Sequence, residues 1–289
     1  MGAGSMTVTD QYPGVKLGFS TQNFLNCMPV GVDNLKELLD FAADEGYAFI
    51  ELRDPAADLS QEDCRGLAAY AREKNVEVIY EIHKDLFNPE FKEVFDRAVR
   101  NTAVFGKPGI LRSIMSWSEF TADEDKTGWT TEELDHLASL ADECAAEAKE
   151  LKVQFVLENI IEPWFGNDGG HGLADLFRKT SGIGLQFDTA NPFLPSCRGG
   201  ADPDDVAAHL DQIADRWFTT HLKCGKDGAF QPVLEENLIP YQKIFGLMSG
   251  NQVKYAALEL LSVDDKQACF DNHRASIEYL ASLGIVEVK

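Results

Sequence analysis

The chain has 289 residues, 44% of them hydrophobic, and a formal net charge of −22 from 48 Asp and Glu against 26 Lys and Arg. So acidic a surface repels phosphate backbones and anionic membranes, which argues against nucleic-acid and membrane partners. No apolar stretch reaches the roughly 20 residues needed to span a bilayer, and the length suits one α/β barrel of about 250 residues or two ordinary domains.

Residues 1–5 read as an expression-tag remnant before a native Met6, and no signal-peptide core precedes the first strand. From there strand and helix patterns alternate. Strands are expected at 15–20, 48–53, 76–83, 109–116, 153–159, 183–188, 217–223 and 255–261. Most are short continuous apolar runs, the pattern of strands buried on both faces. Helices are expected at 33–45, 60–74, 89–105, 132–151, 204–214 and 264–283. In 132–151 the residues Leu134, Leu137, Ala138, Ala141, Cys144, Ala145 and Ala148 mark one apolar face. Asp202-Pro203-Asp204-Asp205 places a proline and acids at a first turn. Eight strand–helix units predict a single (β/α)8 TIM barrel over residues 6–289. An open doubly wound sheet would carry a glycine-rich turn after its first strand, but residues 20–24 read Ser-Thr-Gln-Asn-Phe. The six cysteines are scattered with no CxxC pair, which suits reduced thiols and a cytoplasmic location.

The connections from helix back to strand are short, while several from strand to helix are long. The latter include 117–130 with Trp117, Phe120 and Trp129, 190–203 with Pro192 and Pro195, and 224–234 with Gly225, Gly228 and Phe230. Long loops within compact domains are usually functional. Four strands on this rim end on Glu158, Asp188, His221 and Glu259. A parallel barrel gathers the C-terminal ends of its strands on one face, where active sites are built. Two glutamates, an aspartate and a histidine make a mixed oxygen and nitrogen donor set suited to Mn²⁺, Mg²⁺, Co²⁺ or Zn²⁺. A hard cation chelating adjacent sugar oxygens acidifies the neighbouring carbon-bound proton and stabilises the enediolate formed when it leaves. Glu158 and Glu259, facing each other across that cation, can remove and return the proton.

Leu157-Glu158-Asn159, residues 187–191 (Phe-Asp-Thr-Ala-Asn), residues 220–223 (Thr-His-Leu-Lys) and Leu258-Glu259-Leu260 together resemble the xylose isomerase-like TIM barrels. The closest likeness is to the sugar phosphate isomerase/epimerase superfamily, which includes ketose 3-epimerases, hydroxypyruvate isomerase and inosose dehydratase. The resemblance covers nearly the whole chain. It implies that Glu158, Asp188, His221 and Glu259 bind a divalent metal and that Glu158 and Glu259 are the acid/base pair. It implies a divalent-metal-dependent isomerase or epimerase of a small keto- or aldo-sugar. Many sugar epimerases of this kind carry histidine where this chain has Asn191. That departure motivates a lyase or dehydratase acting on a keto-sugar or inosose as the alternative. A non-catalytic carbohydrate- or partner-binding barrel, using the aromatic loop 117–129 as its surface, is the third reading.

Around the quartet, His83 is expected to hydrogen-bond a substrate hydroxyl, Lys223 to neutralise a substrate oxygen, and Arg112 to bind an anionic group. Asn191 stands at the position that contacts substrate in the epimerases. Trp117 and Phe19 are candidates to stack on a sugar ring. Glu51 ends the second strand, where it can orient a neighbour. His171 and the acidic run 123–125 read as solvated loop residues. The absence of a phosphate cradle favours a neutral sugar, and a homo-oligomer is the common default.

Overall fold

A computed structural model describes residues 6–123, 125–166, 169–193, 201–226, 229–237 and 239–288. In chain order its elements are β1 (Met6–Val8), β2 (Lys16–Ser20), α1 (Val32–Glu45), β3 (Phe49–Arg53), α2 (Gln61–Lys74), β4 (Glu77–Asp85), α3 (Phe91–Phe105), β5 (Pro108–Ile114), α4 (Trp117–Ala122), α5 (Thr131–Glu150), β6 (Gln154–Glu158), α6 (Leu173–Lys179) and β7 (Gly184–Asp188). They continue with α7 (Pro203–Gln212), β8 (Trp217–Leu222), β9 (Gly225–Lys226), β10 (Ala229–Phe230), α8 (Tyr241–Gly250), β11 (Tyr255–Leu258), α9 (Lys266–Ser282) and β12 (Val286–Val288). All eight expected strands form, and they close into one parallel barrel in the order β11-β2-β3-β4-β5-β6-β7-β8. The closing pair matches Tyr255 to Lys16 and Leu258 to Phe19.

Helix entries follow local chemistry. Ser60 and Thr130 open α2 and α5 with reciprocal capping boxes to Asp63 and Glu133. Asp202 accepts from the amides of Asp204 and Asp205 ahead of Pro203, the helix entry expected there. The α5 face from Leu134 to Ala148 is buried as the spacing requires.

Several elements were not legible in the sequence. β1 and β12 pair antiparallel outside the barrel. The short helix α4 occupies part of the loop 117–130, and Phe120 and Trp129 are fully buried. That loop therefore offers Trp117 alone of its three large aromatics to solvent, at 41% exposure. Pro195, Cys197, Glu124 and Gly228 lie outside the described residues.

The hydrophobic core has two compartments. The larger lies between strands and helices. The smaller, Phe49, Ile79, Ile110, Val156 and Ala257, is a layer of its own drawn from five barrel strands, and it plugs the barrel interior. Gly18 makes this layer possible, because a Cβ there would collide with the ring and carbonyl of Phe49.

Candidate metal centre and substrate pocket

Side chains two residues apart on a strand share a face. Counting on from the apolar layer, Phe49 leads to Glu51 and Arg53, Ile79 to Glu81 and His83, Ile110 to Arg112, Val156 to Glu158, and Ala257 to Glu259. The barrel interior thus changes from apolar to charged in a single step. The remaining two members of the quartet are register partners, Asp188 opposite His221.

The four expected ligands do converge. One donor atom from each of Glu158, Asp188, His221 and Glu259 lies within 4.8 Å of all the others, and all four residues are buried. His221 turns Nδ1 to the three carboxylates, at 2.7 Å from Glu259 Oε2, 3.1 Å from Glu158 Oε1 and 3.9 Å from Asp188 Oδ2. Its other nitrogen, Nε2, lies 2.5 Å from Glu51 Oε2. Burial opposes charge on this imidazole, but Glu259 and Glu51 outweigh it and push His221 up to about 9. Burial likewise opposes ionisation of Glu259, yet His221 and Lys223 hold its carboxyl well below the usual range.

Among the described residues, Lys223, Arg112 and Arg53 flank the quartet. Lys223 Nζ bridges Asp188 Oδ2 at 2.9 Å and Glu259 Oε2 at 2.8 Å. Arg112 is buried, pairing with Glu158 Oε2 and, at 2.6 Å, with Glu81 Oε1. Arg53 reaches the same Glu81 oxygen at 2.8 Å and lies 3.9 Å from Glu259 Oε1. Arg112 is thus held by two internal carboxylates at the wall of the cavity.

The donor set fits a divalent cation. Among the described residues, Glu158 Oε2, Asp188 Oδ2 and Glu259 Oε2 are buried without a hydrogen bond of ordinary geometry and are held in ion pairs with Arg112, Lys223 and His221. The donor atoms, all within 4.8 Å of one another, lie close enough together for one divalent cation to be held among them. Charge agrees. The carboxylates Glu51, Glu81, Glu158, Asp188 and Glu259 against Arg53, Arg112 and Lys223 leave two negative charges for a divalent ion to neutralise once His221 is neutral.

Two asparagines brace the quartet from behind. Asn159 accepts from the Asp188 amide at 2.8 Å, and the Asn191 side chain donates to the Asn159 carbonyl at 2.8 Å. The Asn191 amide donates to Asp188 Oδ1, also at 2.8 Å. Asn23 clamps the bend at Glu259, donating to the Leu258 carbonyl at 3.0 Å and accepting from the Leu260 amide at 2.8 Å. His273, kept neutral by burial at about 3, backs Asn23 with Nε2 at 3.0 Å.

A cavity of about 460 Å³ opens over the quartet, within the usual range for small-molecule sites. His83, Arg112, Trp117, Asn191 and Lys223 all line it, with Ile160, Ile161, Phe230 and Leu260 as apolar wall. Among the described residues His83 Nδ1 is buried with no hydrogen-bond partner, and burial together with Arg53 and Arg112 holds this imidazole down at about 3. Phe19 is not part of this wall. It is fully buried in an aromatic cluster with Phe24, Phe41, Tyr47 and His273, which corrects its expected stacking role. His171 lies away from the quartet, pairing with Asp175 and with Trp129 through the backbone.

Sequence reasoning missed Glu81, Arg53 and Asn23. The signal for the first two was present: a charged residue every second position in otherwise apolar strands. No helix among the described residues is long and apolar enough to cross a membrane.

Residues 39–283 match a family model described as xylose isomerase-like TIM barrel. No curated protein matches the chain significantly in sequence. Solved structures with similar folds include a sugar phosphate isomerase/epimerase from Parabacteroides distasonis (12% identity, TM-score 0.68, covering 97% of this chain and 100% of that one). Another is a D-allulose 3-epimerase from Methylomonas sp. (11% identity, TM-score 0.66, 96% and 99% covered). A third is the probable 3-DHS dehydratase AsbF of Bacillus anthracis (13% identity, TM-score 0.65, 92% and 99% covered).

Proposed function

Because the chain belongs to the xylose isomerase-like TIM barrels, we propose that it is a divalent-metal-dependent isomerase or epimerase of a small neutral keto- or aldo-sugar. The observation that carries this reading is the convergence of two glutamates, an aspartate and a histidine within 4.8 Å at the C-terminal rim of the barrel. Glu158, Asp188, His221 and Glu259 would hold the cation, which when bound supplies Lewis acidity that polarises a substrate carbonyl and acidifies the proton beside it.

The chain's own groups supply the rest. A proton-abstracting carboxylate must be ionised, and despite its burial Glu259 is favoured in that form by Lys223, 2.8 Å away. Arg112 pairs with Glu158. One glutamate takes the proton and the other returns it, on the same carbon for an epimerase or the adjacent one for an aldose–ketose isomerase. Lys223, lining the cavity beside Glu259, would neutralise charge developing on a substrate oxygen. His83, neutral at working pH, offers an unpartnered Nδ1 to a substrate hydroxyl. Trp117 provides a flat apolar face at the mouth, and Ile160, Ile161, Phe230 and Leu260 limit water around the reacting carbon. Asn191 completes the polar wall while steadying Asp188. Charge balance supports a neutral substrate, since Arg53, Arg112 and Lys223 are all paired.

A lyase is the second reading, favoured by Asn191 at a position where epimerases carry histidine and by the likeness to a probable dehydratase. It begins with the same proton abstraction and then loses a leaving group. Product NMR in D₂O with added Mn²⁺ or Mg²⁺ and a panel of sugars separates the two. Isomerisation leaves deuterium on an intact skeleton, and elimination gives a dehydrated product. Glu158→Gln and Glu259→Gln should each slow turnover about 10²–10⁴-fold. Undiminished turnover in both variants rules out the proton-transfer role.

A further inference from the structure

Glu51 meets the quartet from behind. It leaves β3 into the barrel, is 1% exposed, and its Oε2 lies 2.5 Å from His221 Nε2. The other carboxylates in the cluster, Glu158, Asp188 and Glu259, all face Nδ1 of the same ring. A carboxylate so deep in a barrel is strongly disfavoured unless it is paired. Among the described residues Glu51 Oε1 has no hydrogen-bond partner, and the imidazole is the group its other oxygen meets directly. The Gln186 amide nitrogen faces the same ring nitrogen, and Gln186 Oε1 accepts from the Thr219 hydroxyl at 3.0 Å; with Nε2 protonated the amide turns over, its oxygen meeting the ring and its nitrogen donating to the Thr219 oxygen. These contacts restrict rotation of the ring.

We propose that Glu51 is a positioning residue that fixes which nitrogen of His221 serves as ligand. An ionised carboxylate only accepts hydrogen bonds, so Nε2 must carry the proton and Nδ1 must present its lone pair to the cation. The arrangement also makes Nδ1 more electron-rich, as carboxylate partners of ligating histidines do. This inference rests on reading the quartet as a metal site.

Two measurements test it. In the wild type, with ¹⁵N-labelled histidine and ¹¹³Cd²⁺ added, the cadmium–nitrogen coupling should fall on Nδ1 of His221 while Nε2 stays protonated. Coupling through Nε2 overturns the proposal without recourse to any variant. In Glu51→Gln, calorimetric affinity for Mn²⁺ should drop about 10–100-fold, with a melting curve that still shows one folded transition. Unchanged affinity in that variant overturns the role of Glu51 while leaving the metal site standing. A wild type that takes up neither Cd²⁺ nor Mn²⁺ overturns both readings.

Discussion

Glu162 makes the stability of the fold depend on pH. It lies in the loop between β6 and α6, 6% exposed, and its carboxylate oxygens accept from the Ile160 amide at 3.1 Å and the Ile161 amide at 3.3 Å. No cation pairs with it among the described residues. Burial raises its carboxyl from 4.5 to about 7, against the pull of those amides and with Asp85 adding to the rise. Raising an acid's folded pKa means the native state holds the proton more tightly than the unfolded chain does. Below about pH 4.5 both states are protonated and Glu162 costs nothing. Between 4.5 and 7 stability falls, and above 7 the full cost applies. At about 1.4 kcal/mol per pH unit, that cost is about 3 kcal/mol. Glu162→Gln removes the ionisation and keeps one oxygen acceptor. Urea unfolding should therefore show the variant more stable by up to about 3 kcal/mol at pH 8, with the gap closing towards pH 4.5. A difference that does not vary with pH, or a variant less stable at pH 8, refutes the reasoning. The effect reaches the site, because the two amides that Glu162 ties belong to Ile160 and Ile161, which wall the substrate cavity.

Two further outcomes follow from packing. Gly18→Ala drives a Cβ into Phe49, whereas Gly246 in α8 has open space around it. Overpacking should cost about 1–3 kcal/mol at Gly18, and Gly246→Ala should be neutral or slightly stabilising by urea midpoint; equal effects would contradict the account of the interior layer. Asn23→Leu leaves the buried carbonyl of Leu258 and amide of Leu260 without their partner, at about 1–3 kcal/mol each. It should lower both stability and Mn²⁺ affinity, since those groups flank Glu259, and wild-type affinity in a destabilised variant would show that the clamp does not position the ligand.

The barrel was legible because its strands are short apolar runs at regular spacing, and periodicity needs no knowledge of partners. The quartet was legible for a related reason: each member closes such a run. Short elements were not. The three residues of β1 and of β12 carry too little pattern to announce a strand, and α8 follows Pro240 and contains Gly246 and Gly250, which read as breakers. Glu51, Glu81 and Arg53 were partly hidden, since a charged residue in an apolar strand identifies the inward face but not the neighbour it meets across the barrel. Asn23 was invisible, because its partners stand more than 230 positions away in the chain. Phe19 failed in the opposite sense. Its neighbours Gly18 and Ser20 alternate with it, and the face it takes belongs to the helix layer rather than to the cavity.

The central claim is that these four side chains share one cation. Protein stripped of metal and then titrated with Mn²⁺, with bound metal counted by mass spectrometry of the dialysed complex, tests it directly. The account predicts one ion per wild-type chain and substoichiometric binding in Asp188→Asn. A wild type that retains no metal, or an Asp188→Asn variant that binds as tightly as the wild type, would contradict it.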